Sequence, residues 1–178
     1  MNKTAAAIIL SLVCGLSYQA LSDEVEVKSL NRSSTGFFVF SPDFVRIMPG
    51  DTIDFVASDK AHQVHSVPGM IPEGAQPFDA KMSEDIKVTF TVSGVYVIAC
   101  RPHMMMGMIA VVLVGDPMNI DKLDPSSLPA KARTKLETLL EPLKKSRAAP
   151  RDRVRPADAM FLQPPSMQAT NAHPGHRR

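Results

Sequence analysis

Short apolar segments separated by turn-forming residues fill the first two thirds of the chain, and their spacing is that of β-strands. Residues 25–30, 36–40 and 44–48 open the series, and Pro49-Gly50-Asp51 marks a turn before residues 52–56. Residues 87–92 alternate strictly, placing Val88, Phe90 and Val92 on one face. Ser93-Gly94 then turns the chain into residues 95–99, and the run 109–114 closes the series. Six or seven short strands at this spacing predict an all-β, two-sheet sandwich. Residues 58–83 interrupt the pattern with Pro68-Gly69, Pro72 and Gly74, which predicts a long ordered loop over one side of the sandwich.

Beyond Asp116 the period changes. Leu136, Leu139, Leu140 and Leu143 recur at helical spacing after Pro129, so a C-terminal helix is expected to pack on the sandwich. Pro142 should stop or kink that helix near Glu141, because an interior proline lacks the N–H and crowds the preceding turn. Residues 148–178 hold Pro150, Pro156, Pro164-Pro165 and Pro174 with almost no apolar periodicity, and their arginines outnumber their acids. A disordered Pro/Arg-rich tail is expected there. At the other end, Met-Asn-Lys precedes an uncharged stretch too short to span a bilayer, and small residues follow near position 22. Residues 1–22 therefore read as a signal peptide and residues 23–147 as one domain, with no membrane span in the mature chain.

Removal of the signal takes Cys14 with it and leaves Cys100 as a lone cysteine in an exported protein, where a free thiol is exposed to oxidation. A buried, inert cysteine is the bland explanation, but it accounts for none of the neighbours. Cys100-Arg101-Pro102-His103-Met104-Met105-Met106-Gly107-Met108 joins two core strands and packs thiolate, imidazole and thioether into nine residues. Those donors suit copper in either oxidation state, and a His₂Cys set with a weak axial Met describes a blue-copper electron-transfer site. Upstream, His62 and His65 compete for the remaining position, and spacing does not choose between them.

Several motifs in order, Asp59-Lys60-Ala61-His62-Gln63-Val64-His65-Ser66, Met70-Ile71-Pro72-Glu73-Gly74-Ala75, Gly94-Val95-Tyr96 and Cys100-Arg101-Pro102-His103 with Met106-Gly107-Met108, closely resemble those of the pseudoazurins, small periplasmic blue-copper proteins. The resemblance runs over roughly residues 25–143. It implies a cupredoxin Greek-key β-sandwich with two C-terminal helices. It also implies one type 1 copper, cycling between Cu(I) and Cu(II), held by His62, Cys100, His103 and Met108. The chain would then be an electron-transfer protein of the periplasm rather than an enzyme, accepting electrons from cytochromes and passing them to denitrification reductases such as copper nitrite reductase. A monomer forming transient complexes is implied, without nucleic-acid partners.

Two positions depart from the family's habit: His65 stands where an acidic residue is usual, and Gln63 where asparagine is. His65 is expected to be an exposed, solvated side chain. Met70 and Met82 read as packing residues, and Met106 as part of an apolar surface around the site. Arg101, Lys60, Lys81 and Lys87 are candidates for a positive rim that steers acidic partners. The Met-rich loop also supports a copper carrier or storage role, and the basic tail an accessory domain tethered to another protein. His173 and His176, in a flexible tail, make a weak site and are expected to be solvated.

Overall fold

A computed structural model describes residues 24–148; the signal segment 1–22 and the tail from 149 lie outside the described residues. Eight strands form two four-stranded sheets. They are β1 (Glu24–Ser33), β2 (Gly36–Ser41), β3 (Phe44–Ile47), β4 (Thr52–Val56), β5 (Val64–Ser66), β6 (Ile86–Thr89), β7 (Gly94–Cys100) and β8 (Ile109–Val114). One sheet has the order β2-β1-β4-β6 and the other β3-β8-β7-β5, and each contains one parallel pair, β1 with β4 and β3 with β8. The predicted strands are all present within a few residues. The addition is β5, three residues inside the segment expected to be a loop, too short to show a period of two.

Strand composition follows burial. β1 alternates, with Val27 inward between exposed Glu26 and Lys28, as a half-buried strand must. β7 and β8 read as unbroken apolar runs because both their faces are covered. Tyr96, Ile98, Cys100, Ala110 and Val112 point into the core between the sheets, with Phe40, Phe55 and Phe90. Val95, Val97, Ala99, Ile109, Val111 and Leu113 face the other way and are equally inaccessible.

An apolar stripe also lies on α1 (Ala130–Ala148), where Ala132, Leu136 and Leu140 are buried. Lys135 of α1 pairs with Asp43 beside β3. Two 3₁₀ turns, Ile120–Lys122 and Pro125–Ser127, lead into it, and the carbonyl of Pro129 accepts from the N–H of Arg133. Among the described residues a single α-helix stands where the resemblance implies two.

It also runs through Pro142 instead of stopping near Glu141. The carbonyl that Pro142 leaves without a donor is that of Thr138, an exposed residue, so water can take the missing bond's place. The chain divides into two compact units at Leu140 and Glu141. The first contains both sheets and the helix to Leu140. In the second, residues 141–148 continue the helix, with Lys145 paired to Glu141 at 3.3 Å and Leu143 buried.

Candidate metal centre

The end of the sandwich where β7 meets its neighbours is built by three segments. Cys100 is the last residue of β7 and pairs in register with Val64 of β5. Just before β5, Ala61 takes a left-handed conformation (φ 68°), a cost of about 1–2 kcal/mol for a residue with a Cβ. The turn is held by hydrogen bonds from the Ala61 N–H to Ser83 Oγ (2.9 Å) and from the Ser83 N–H to the His62 carbonyl (2.7 Å). This aims His62 inward, leaving it 1% exposed.

After Cys100 the chain folds back on itself. The N–H of His103 donates to the Cys100 carbonyl (3.1 Å), a 3₁₀ turn spans Met104–Met106, and Gly107 closes it with φ 91°, a region glycine enters without a side-chain penalty. The loop ends with the Met108 N–H on the His103 carbonyl (3.3 Å) and the Cys100 N–H on the Met108 carbonyl (3.1 Å). The start of α1 backs this loop, for a Cβ on Gly107 would meet the Lys131 carbonyl at 3.4 Å.

Three donor atoms converge. Cys100 Sγ lies 3.5 Å from Nδ1 of His62 and 3.5 Å from Nδ1 of His103, and the two nitrogens are 3.2 Å apart. A point equidistant from all three lies about 2 Å from each, the length of a metal–imidazole bond and slightly short for a metal–sulfur bond. Soft sulfur with two imidazoles fits copper. Met108, wholly buried in the same core cluster as Cys100, follows the loop directly. The structure brings His62, and not His65, beside Cys100 and His103.

Protonation states agree with a metal-binding role. Burial pushes the pKa of His62 down, helped by the nearby His103 and opposed by Asp59, and burial likewise lowers His103. Both rings are thus held neutral. Burial pushes the Cys100 thiol up, while backbone hydrogen bonds from Gln63 and His103 pull it back. A metal must therefore displace the thiol proton on binding. Pro102 cannot donate to the sulfur, but Gln63 and His103 flank it with N–H groups.

Two contacts escape a reading of the sequence. Nε2 of His62 lies 3.1 Å from Oδ1 of Asn31; a carbonyl oxygen only accepts, so the proton sits on Nε2 and Nδ1 presents its lone pair to the site. Phe38 stacks on His103 with centroids 4.2 Å apart and planes 25° from parallel, and does so at φ 51°. Their sequence signals are a polar residue and an aromatic in β-strands, which point nowhere in particular.

Other expectations change. His65 is buried, not exposed: it sits opposite Ala99 on the outer face of its sheet, away from the three donors, and its Nδ1 has no partner among the described residues. Burial and the charge of Arg101 lower its pKa, against Asp79 and backbone bonds to Ala99 and Gln63. Met70 is buried as expected, whereas Met82 is half exposed. Arg101 is paired with Asp79, Lys87 with Glu24 and Asp54, and Lys81 lies 3.8 Å from Glu84, so much of the expected positive rim is locally balanced. Met105 and Met106 are exposed beside half-buried His103. No helix among the described residues is long and apolar enough to cross a membrane.

Comparison with known proteins agrees with this geometry. Residues 27–115 match the family described as copper binding proteins, plastocyanin/azurin family. The chain is 42% identical to pseudoazurin of Paracoccus pantotrophus over 116 residues, 65% of this chain and 80% of that protein. It is 43% identical to pseudoazurin of Methylorubrum extorquens over 111 residues, 62% and 75% of the two chains. Among solved structures, pseudoazurin from Methylobacterium extorquens superposes with a TM-score of 0.61 at 40% identity, covering 70% of this chain and 99% of that one. The native protein from Hyphomicrobium denitrificans gives 0.64 at 34%, covering 67% and 98%.

Proposed function

The chain belongs to the plastocyanin/azurin family of copper-binding proteins, among the pseudoazurins, and from that premise we propose that it is a periplasmic electron carrier serving a reductase. The observation that carries this reading is the convergence of Cys100 with two neutral imidazoles. His62, Cys100, His103 and Met108 would hold the copper, which would supply one-electron exchange between Cu(I) and Cu(II).

What the chain contributes is rigidity. Each donor is fixed by a separate device: His62 by Asn31 and the Ser83 turn, Cys100 by its place at the end of a fully buried strand, His103 and Met108 by the hydrogen-bonded loop. Ligands that barely move when the charge changes allow fast transfer. Four protein donors also leave no open position for substrate, unlike catalytic metal sites.

Half-buried His103, flanked by exposed Met105 and Met106, offers the route outward. An apolar patch of this kind suits a brief, easily released complex. Copper nitrite reductase as acceptor and a cytochrome as donor follow from the resemblance to pseudoazurins, as does export by the leader. Stopped-flow mixing of the reduced protein with a copper nitrite reductase should give oxidation whose rate rises with reductase concentration and then saturates. A rate that does not change from the lowest reductase concentration upward would contradict this partner.

A further inference from the structure

We propose that Asp79 is a positioning residue of the metal centre, clasping the residue after His62 to the residue after Cys100 and so fixing the spacing of those two ligands; this rests on the copper reading of the site. Its carboxylate takes both partners at once. Gln63 Nε2 donates to Oδ1 at 3.0 Å, and the guanidinium Nη2 of Arg101 donates to Oδ2.

The location gives the clasp its purpose. Val64 with Cys100 is the last register pair of β5 and β7, followed by one further bond from the Arg101 N–H to the Gln63 carbonyl (2.9 Å). Past that point one strand has not begun and the other has ended. Ladder ends open easily unless something ties them, and here the ladder's end lies one residue from His62 on one side and one from Cys100 on the other.

Asp79 is itself a fixed post. It bridges His65 from the open side of β5, where the Ala80 N–H donates to the Val64 carbonyl (2.8 Å) and the Ser66 N–H to the Phe78 carbonyl (3.0 Å). Strand alternation sets Gln63, His65, Asp79, Ala99 and Arg101 on one face. The clasp thus lies beside buried His65 and outside the metal ligands.

Stability alone does not account for it. The Arg101 and Asp79 side chains are 53% and 46% exposed, and ion pairs on such a surface contribute little to folding. Losing the carboxylate should be read in the geometry of the ligands.

The test compares the full chain with Asp79→Ala and Asp79→Glu. In the metal-free protein, hydrogen exchange at the Arg101 amide should quicken about tenfold in Asp79→Ala. In the Cu(II)-loaded protein, the visible band and the copper hyperfine splitting should shift and Cu(II) affinity fall about tenfold, as loss of an outer-shell partner does. Asp79→Glu should recover most of each change, and urea midpoints should stay close to the parent's. Unchanged exchange and spectra in Asp79→Ala would overturn the proposal, as would changes that merely track a lowered urea midpoint. A parent chain that takes up no blue Cu(II) would instead overturn the reading of the site, and the proposal with it.

Discussion

Replacing Asn31 tests how the fold prepares His62 for a metal. Asn31 Oδ1 accepts from His62 Nε2 at 3.1 Å, and His62 is 1% exposed, so the ring's N–H has this acceptor in place of water. The Asn31 backbone is itself held by Asp59 Oδ2, 2.6 Å from its N–H. A buried donor left without a partner costs about 1–3 kcal/mol, and about 1.4 kcal/mol corresponds to a tenfold change in affinity. Asn31 itself is exposed, which separates two substitutions. In Asn31→Ala water can enter and take the bond, so Cu(II) affinity should fall by about tenfold at most. Asn31→Leu fills the space with carbon and leaves the N–H bare, and the loss should lie between about tenfold and a hundredfold. Asn31→Asp should bind at least as tightly and lower the reduction potential, since a carboxylate makes the imidazole a stronger donor to Cu(II). Competition titrations against a chelator of known affinity give all three values. A leucine variant that binds as tightly as the parent, or an alanine variant weaker than the leucine one, would refute the reasoning.

Gly107→Ala should destabilise the protein by about 1–2 kcal/mol, the cost of a Cβ at φ 91° in the ligand loop, seen as a lower urea midpoint; a stabilisation would show that the loop adopts another conformation. Ser29→Ala should leave thermal stability unchanged or raised, because Ser29 is fully buried and its Oγ has no partner among the described residues. A drop of more than about 1 kcal/mol would reveal a partner for that hydroxyl. His62, His65 and His103 all have pKa values lowered on folding, chiefly by burial, so the unfolded chain binds more protons than the folded one below about pH 6.5. Their contribution to the stability of the metal-free protein is fully present above that pH and is lost as pH falls through the folded values. Denaturation curves that are flat between pH 7 and 5 would contradict this.

The sandwich is legible in the sequence wherever a strand is long enough to show its period or apolar enough to be buried on both faces. β5 escapes because three residues carry no period, and its existence depends on β7 and on residues 78–80 pairing to either side of it. The helix through Pro142 escapes for a related reason: proline reports a lost bond, but not whether solvent can replace it. At the site, chemistry is more legible than support. Cys100, His103 and Met108 are neighbours in sequence, and their donor types point to copper. Choosing His62 over His65 from the residues alone fails, because a side chain's direction depends on the left-handed turn at Ala61. Asn31, Phe38 and Asp79 reach the site from three other segments, and neither composition nor periodicity encodes such meetings.

The most direct test of the central claim is titration of the metal-free protein with Cu(II), followed by optical spectroscopy and voltammetry, in the parent chain and in His62→Ala. An intense visible sulfur-to-copper band that saturates at one ion per chain, with a reversible one-electron wave, is the predicted result, and both should be lost in the variant. A colourless protein holding readily exchanged Cu(I), or a blue band that survives His62→Ala, would contradict the account.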